Sequence, residues 1–284
     1  MKKHVAGIVP VAGFKSDIDL PWHASLMPIG PDYLAIERSV VECAYAGCNT
    51  IWIVCNDDVT PLVRHRLGEK IQDPVYAHRH FQHNKNDVKR PIRIYYVPLS
   101  IRDVNKRDNL AWSAMYGAKT AHSIISKISK WLTPDKFYVS WPYGHYDPAA
   151  PRSHRRAILE GDFALSHEEC SARDGLYLGM TLTLAQINLL FSQVREKSSG
   201  LWVDPETRTQ MLSREERYSY RNLALSEVFE SLEMVNYTYG PVDKYNSLDC
   251  WSSYCSFLAT GPTVTRPKLL KYSEWNEIGI DEEG

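Results

Sequence analysis

A short apolar run extends from Val5 to Val11 and ends at Ala12 and Gly13, after which the chain is polar. The polar loop is followed by residues Tyr33 to Ala46, where apolar residues recur with the spacing of an amphipathic helix. A strand, a glycine-bearing loop and a helix in this order form nucleotide-phosphate pockets in α/β proteins, because the N–H groups of such a loop can bind an anion. The start of the chain therefore predicts an anion-binding loop.

Strands and helices continue to alternate over the next hundred residues. Further strands are predicted at residues 50–55, 92–97 and 136–141, with helices beginning at Thr60 and within RDNLAWSAMYGAK. The order β-α-β-α-β-α-β predicts a mainly parallel sheet with right-handed crossovers and a site at the carboxyl ends of its strands. We expect the four strands to be neighbours in one sheet.

The second half of the chain is less regular. A basic helix is predicted over RSHRRAILEG, a strand leading into a helix over DGLYLGMTLTLAQINLLFSQVREK, and a last helix over CWSSYCSFLATG. No internal repeat or linker divides the sequence. We therefore predict one domain over residues 1–262, followed by an acidic C-terminal tail over residues 263–284.

Composition excludes some classes of protein without indicating a function. The 284 residues are 44% hydrophobic and 24% charged with a formal net charge of −1, so we expect neither bulk nucleic-acid binding nor a membrane partner. No apolar stretch approaches the roughly 18 residues that span a bilayer, and the apolar start is typical of a strand rather than an export signal. The six cysteines lie mostly in apolar segments without a C-x-x-C pair, which indicates buried reduced thiols and a cytoplasmic location.

Five segments between about residues 5 and 258 resemble, in order, those of a known family. They are PVAG, ASLMPIG, RDNLAWSAMYGAK, FYVSWPYGHYDP and YNSLDCWSSYCSFL. They resemble LAAG, KPLLPI, GTAGALLAAK, FLVLLGDHLYDP and WYDIDTPEDLERAL of the sugar-nucleotide pyrophosphorylases, which are nucleotidyltransferases. The resemblance implies a single α/β domain with a GT-A-like, Rossmann-related fold and a mixed, mainly parallel central sheet.

The same resemblance implies which residues bind a nucleotide. Ala12 and Gly13 stand for the glycine-bearing loop of the family. Asn109, Leu110 and Ala111 stand at the start of the helix that holds the base and sugar. The implied partner is a nucleotide or nucleotide sugar.

The charged positions of the family are only partly retained. Lys15 is the one cation in GFKSDID, where the family has G-x-G-x-R, and WHA replaces the family's lysine before PLLPI. Asp249 matches the second metal-binding aspartate, which implies a site for Mg²⁺, but Tyr143 stands where the first should be. A phenol is neutral at pH 7 and a poor Mg²⁺ ligand. Lys15 and Asp147, four residues after Tyr143, are the candidate catalytic residues.

Several of these residues also have simpler interpretations. Asp147 is either a displaced metal ligand or the cap of the helix in PAAPRSHRRAI. Asp57 and Asp58 follow a predicted strand and either orient a ligand or form a solvated pair. The three histidines of HRHFQH (His78, His80 and His83) have the residue type for a metal site, but no nearby cysteine or carboxylate completes a set. This basic segment is either a solvated loop or a site for an anionic partner.

Two functions from different classes follow from the sequence. The first is a divergent nucleotidyltransferase-like protein that binds a nucleotide or nucleotide sugar, with transfer of NMP to a sugar phosphate as its candidate reaction. The second is a catalytically inactive scaffold of the same fold that acts as a binding or structural assembly protein with a protein partner. Retention of the five family-like segments favours the nucleotide-binding function. Loss of the family's catalytic Arg and Lys and of its first metal-binding Asp favours the inactive scaffold.

If the glycine-bearing loop binds nucleotide, Lys15→Ala should weaken nucleotide binding by about 1–3 kcal/mol, the range for losing a hydrogen bond to a charged group. Isothermal titration calorimetry with each NTP measures this loss. Unchanged affinity would make the loop purely structural.

Overall fold

The computed structural model describes residues 3–14, 18, 20–77, 91–100, 103, 109–199, 223–261 and 266–267. The strands in these ranges are β1 (Val5–Pro10), β2 (Pro28–Gly30), β3 (Tyr33–Leu34), β4 (Thr50–Cys55), β5 (Lys70–Ile71), β6 (Ile92–Pro98), β7 (Lys136–Val139), β8 (Gly144–His145), β9 (Asp162–Ser166), β10 (Met180–Thr183), β11 (Tyr237–Pro241) and β12 (Asn246–Ser247). The α-helices are α1 (Ala35–Ala46), α2 (Thr60–Leu67), α3 (Pro74–Ala77), α4 (Leu110–Ile128), α5 (Arg155–Glu160), α6 (Leu184–Ser199), α7 (Leu225–Phe229) and α8 (Trp251–Ala259).

Eight of the strands form one mixed sheet in the order β11-β9-β10-β7-β1-β4-β6-β5. The strands β7, β1, β4 and β6 are parallel neighbours, with Ala6 opposite Thr50 and Val5 opposite Lys136. This confirms the prediction that the four apolar segments form one parallel sheet. Strand β10 runs antiparallel between β7 and β9, and β5 is an antiparallel edge strand.

Strand β1 lies at the centre of two hydrophobic cores. All six of its residues are buried, as expected for a parallel strand covered on both faces. Because side chains alternate along a strand, Ala6 and Ile8 enter the core beneath α4, α6 and α7, while Val5 and Val9 enter the core beneath α1, α2 and α5. The sheet therefore has helices on both faces, and its carboxyl edge is left to the connecting loops.

The less regular second half departs from the prediction in two places. The segment GDFALS, for which no strand is predicted, forms β9 and pairs with β10 and β11. The predicted basic helix begins as a 3₁₀ turn (Ala150–His154) and becomes α-helical only at Arg155. Both segments are too short for the spacing of their apolar residues to distinguish a strand from a helix, or an α-helix from a 3₁₀ turn.

Three of the six cysteines are not buried, contrary to the prediction. Cys43, Cys48 and Cys55 lie in the core, whereas Cys170 is exposed and Cys250 and Cys255 are partly exposed. Within the described residues no helix is both long and apolar enough to cross a membrane. The division into a domain and an acidic tail stays a prediction; inside that tail, Arg266 forms an ion pair with Asp32 at 2.9 Å.

A buried carboxylate joins helix α1 to β7 and the loop that follows it. Glu42 accepts hydrogen bonds from Arg38 (2.8 Å), Tyr138 (2.7 Å), Ser140 (2.5 Å) and Tyr146 (2.8 Å), and it has no exposed surface. Each of these four donors is also fully buried. Burial raises the pKa of the Tyr138 and Tyr146 phenols well above their usual range, so both stay protonated as donors.

Two further contacts extend this network toward the carboxyl edge of the sheet. The Arg38 guanidinium donates to the Trp141 carbonyl oxygen at 2.6 Å, and the Gly179 N–H donates to the Tyr146 hydroxyl at 3.0 Å. A Cβ atom on Gly179 would lie 2.2 Å from a Glu42 carboxylate oxygen and from the Tyr138 hydroxyl oxygen. The backbone at Gly179, just before β10, therefore packs directly against the Glu42 and Tyr138 side chains, with no space for a side chain at this position.

Glu42→Gln should destabilise the protein by about 3–5 kcal/mol, because it leaves the buried Arg38 charge without its partner. Urea unfolding followed by circular dichroism measures the change. Glu160→Gln is the matched control, since Glu160 pairs with Arg156 on the exposed face of α5 and should contribute only about 0.3–0.5 kcal/mol. Equal effects of the two changes would contradict a structural role for the buried pair.

Candidate functional site

The loop after β1 is held at the carboxyl edge of the sheet by hydrogen bonds to two neighbouring elements. The N–H groups of Val11 and Ala12 donate to the Val54 carbonyl oxygen on β4, at 2.8 and 3.0 Å. The Ser113 hydroxyl on α4 donates to the Ala12 carbonyl oxygen at 2.6 Å. The loop therefore leaves β1 in a fixed direction, toward the start of α4.

Gly13 contacts the backbone at the start of α4 directly. A Cβ atom at this position would lie 2.5–2.8 Å from the backbone atoms of Asn109, closer than real side chains approach. The φ angle of Gly13 is also +83°, in the region that favours glycine. Gly13 and Asn109, which the resemblance implies are both nucleotide-binding residues, therefore lie in direct contact, while Lys15 lies outside the described residues.

Asn109 combines a structural contact with an unused donor. Its side-chain oxygen caps α4 by accepting from the Trp112 N–H at 2.7 Å. Its amide nitrogen Nδ2 is buried and, within the described part of the chain, has no hydrogen-bond partner. Leu110 and Ala111, the other predicted nucleotide-binding residues here, are buried in the first turn of α4. The amide therefore carries a hydrogen-bond donor that no described residue uses.

Tyr143 fills the position at which the resemblance places a metal-binding aspartate. The side chain is fully buried, its hydroxyl donates to the Val11 carbonyl oxygen at 2.8 Å, and its ring stacks on Phe14 with the centroids 3.4 Å apart. Burial raises the pKa of the phenol well above its usual range, so it is neutral. A neutral ring bonded to the backbone occupies the space between the first loop and the end of β7.

Asp249 lies beside this aromatic group. The Leu248 N–H, one residue earlier, donates to the Tyr143 carbonyl oxygen at 2.8 Å and extends the β8–β12 pairing. Burial, together with the nearby Asp249 charge, raises the pKa of Tyr177 above its usual range. Burial likewise raises the pKa of Tyr245 to about 12, with Asp249 adding to the shift. The half-buried carboxylate therefore has phenols as neighbours.

Asp147 is exposed and caps the turn that it begins. Its side-chain oxygen accepts from the Ala149 N–H at 2.9 Å, and its charge contributes to raising the pKa of Tyr45 near the end of α1, a shift due chiefly to burial. The charge of Asp249 instead contributes to raising the pKa of Tyr177 and Tyr245, near β8 and β12. These contacts fit the capping interpretation of Asp147, and its catalytic role stays a prediction.

His23 lies in the segment that replaces the family's lysine. Its ring nitrogen Nδ1 accepts from the Ser25 N–H at 3.3 Å. Burial lowers the pKa of His23, and the charge of Asp58 only partly offsets this effect. The imidazole is therefore neutral at pH 7, so no cation replaces the lysine at this point.

Three aromatic residues of the site are not predicted from the sequence. Phe14 and Tyr177 pack at a steep angle with ring centroids 6.0 Å apart, and the Tyr177 N–H donates to the Tyr245 hydroxyl at 3.0 Å. The high tyrosine content is the only sequence signal for this cluster, and it does not indicate which tyrosines meet. The cluster makes the site aromatic rather than charged.

The residues at this edge do not fit the magnesium site that the sequence resemblance implies. Hard cations need carboxylate or carbonyl oxygens, and Tyr143 supplies a phenol already donating to a backbone carbonyl. Among the described residues, no group of three or more His, Cys, Asp or Glu side chains is arranged to hold a metal ion. The arrangement can instead offer an amide donor, a helix N-terminus and aromatic faces to a ligand.

Comparisons with known proteins identify the fold. No protein-family model matches the chain, and no curated protein matches its sequence. A structure from Bacillus anthracis assigned as a glucose-1-phosphate thymidylyltransferase, in complex with sucrose, is similar over 93% of this chain and 98% of its own, with 12% identity and a TM-score of 0.55. The Mycobacterium tuberculosis protein Rv0371c is 10% identical over 91% of this chain and 99% of its own, with a TM-score of 0.46. The first comparison establishes a nucleotidyltransferase-like α/β fold.

Proposed function

We propose that this chain binds a nucleotide or nucleotide sugar at the carboxyl edge of its parallel strands, without pyrophosphorylase turnover. One observation carries the proposal: the Tyr143 hydroxyl bonds to the Val11 carbonyl oxygen and its ring stacks on Phe14, where a catalytic metal would need a carboxylate. The fold supplies the binding edge, and the aromatic pair removes the charge that the chemistry requires.

Binding is supported by the junction of the first loop and α4. Gly13 brings the loop against the backbone of Asn109, and the buried Asn109 Nδ2 has no hydrogen-bond partner among the described residues. A buried donor without a partner costs roughly 1–3 kcal/mol, so a ligand that accepts its hydrogen bond gains that energy. The N-terminus of α4, a helix of 19 residues, adds a partial positive charge that favours an anionic group.

Loss of catalysis is supported by the charges at the same edge. Transfer to or from an α-phosphorus needs cations that offset the charge on the phosphoryl oxygens. Tyr143 and His23 are both neutral, for the reasons given above, and Asp249 lies beside tyrosines. A nucleotide bound here would be held without being activated.

NMP transfer to a sugar phosphate is the second candidate function. The observation that favours it is Asp249, which follows directly after Leu248, the residue whose N–H donates to the Tyr143 carbonyl oxygen beside the β8–β12 pairing. A carboxylate at this edge is the one candidate metal ligand that the resemblance retains. The two functions differ in whether product forms.

Asn109→Ser should weaken nucleotide binding by about 1.5–3 kcal/mol, since the serine hydroxyl still caps α4 while the Nδ2 donor is lost. Calorimetric titration with each NTP and nucleotide sugar measures the affinity, and thermal unfolding should show little change in stability. Bound ligand at 100 times its Kd should add about 2.7 kcal/mol to the stability of the wild type.

Asn49→Ser is the matched control. Asn49 makes a comparable side-chain contact, accepting from the Val5 N–H at 3.0 Å, but at the opposite end of β1. Its substitution should leave nucleotide affinity unchanged. Equal losses of affinity in both variants would mean that the loss reflects reduced stability rather than a direct contact. An unchanged nucleotide affinity in Asn109→Ser would show that the Asn109 amide does not bind the nucleotide.

Tyr143→Asp should increase the affinity for Mg²⁺ or Mn²⁺, provided that Asp249 faces the same point, because it adds a second carboxylate at this edge. Tyr143→Phe serves as control: it also breaks the hydrogen bond to Val11 but adds no ligand, so metal affinity should not rise. Metal titration followed by tryptophan fluorescence, with a pyrophosphate-release assay on each variant, provides the readouts. A substantial wild-type rate that survives Asp249→Ala would refute the proposal, and a rate abolished by Asp147→Ala would make Asp147 the substitute ligand.

A further inference from the structure

The end of α4 carries a group of exposed apolar side chains that no described element covers. Ile124, Ile128 and Trp131 are 43%, 76% and 76% exposed, and Leu132 is 52% exposed. We call these four residues the α4 patch. Ile124 and Ile128 are four positions apart on the helix and therefore share a face, and the 3₁₀ turn Lys130–Leu132 follows the helix after the extended residue Ser129.

The α4 patch lies at the opposite end of the molecule from the candidate site. Helix α4 begins where Asn109 meets Gly13, and its 19 residues extend about 28 Å to the other edge of the sheet. At that edge, Asp135 accepts a hydrogen bond from the His4 N–H just before β1. The patch thus serves neither the first loop nor the aromatic cluster.

The size and composition of the patch are those of an interface centre. A large aromatic buries about 150–250 Å² of surface, so the four partly exposed side chains present on the order of 400 Å² of apolar area. This equals about half of the roughly 800 Å² that each partner buries in a standard interface, the remainder being a polar rim. Trp131 is the residue type most often found at the energetic centre of interfaces.

From these observations we infer that a second copy of this chain covers the α4 patch through a twofold contact. A twofold axis places the same surface against itself, so an apolar centre meets an apolar centre. The exposed residues around the patch also carry charges of both signs. Lys127 and Lys130 precede Trp131 in the chain, and Asp135 follows Leu132. Lysines of one copy can therefore face the aspartate of the other across the axis.

Charge also decides against the main alternative occupant. An anionic lipid surface is recognised by clusters of basic residues without acidic ones. The described lysines around the α4 patch are interspersed with the exposed carboxylate of Asp135, Lys136 is paired with Asp162, and the chain as a whole has a formal net charge of −1. In the twofold dimer both candidate sites stay open, because each lies at the far end of its own α4. The inference is therefore independent of what those sites bind.

Sedimentation velocity of the full chain over a range of concentrations tests this contact. The wild type should sediment as a dimer that dissociates on dilution, and Ile128→Glu should raise the dissociation constant at least tenfold by placing a charge in the apolar centre. Leu62→Glu is the matched control, since Leu62 is 56% exposed on α2 and the change is the same; the dimer should persist. Circular dichroism verifies that both variants fold, and Trp131→Ser provides a milder second disruption.

A wild type that stays monomeric at the highest concentration reached would overturn the inference. So would a dimer that Leu62→Glu dissociates as strongly as Ile128→Glu does. Co-sedimentation with vesicles of anionic phospholipid tests the alternative occupant, a lipid surface. Monomeric protein that binds these vesicles, and loses binding with Trp131→Ser, would assign the patch to a lipid surface instead.

Discussion

The buried carboxylate of Glu42 holds helix α1 against β7 and the segment that leads to β8. Four donors from three parts of the chain converge on it, and Arg38 is its ion-pair partner. Arg38 also bonds to the carbonyl oxygen of Trp141, in the middle of the segment between β7 and β8. The ends of this segment are held by backbone bonds from Ser140 to Ile8 and from Leu248 to Tyr143. Side-chain contacts to α1 therefore add to the backbone bonds that position Tyr143.

The position of Tyr143 determines the electrostatic character of the candidate site. Two carboxylates at one strand edge repel each other and need a cation between them, whereas a phenol that donates to a backbone carbonyl is satisfied without one. Phe14 stacks on the ring, and Tyr177 packs against both. The same framework can thus keep its first loop packed on the start of α4 while the neighbouring edge of the sheet is aromatic and neutral.

Helix α4 links the two surfaces from which function is inferred. Its N-terminus carries Asn109, with a buried amide whose donor is unused in the described chain, and its C-terminus carries Ile128 and Trp131 in exposed positions. A contact between copies at the second end would leave the first end accessible. A ligand-binding edge and an assembly face can therefore coexist on one chain, so the binding and scaffold interpretations of the sequence do not exclude each other.

Sequence alone determined the central parallel sheet and the edge at which the carboxyl ends of its strands lie. The apolar runs of β1, β4, β6 and β7 are continuous because each strand is buried on both faces, and such runs are visible without any tertiary information. The ordered resemblance similarly located Tyr143 and Asp249 at one strand edge, because each falls in a local motif.

Only the tertiary structure decided which distant residues meet. Glu42 and Arg38 belong to a helix that the sequence indicated to be amphipathic, yet both are buried because partners from β7 and beyond satisfy them. The cluster of Phe14, Tyr143 and Tyr177 joins residues far apart in the chain. Periodicity reports the average burial of a face, whereas charge burial and ring packing depend on the path that the whole chain takes.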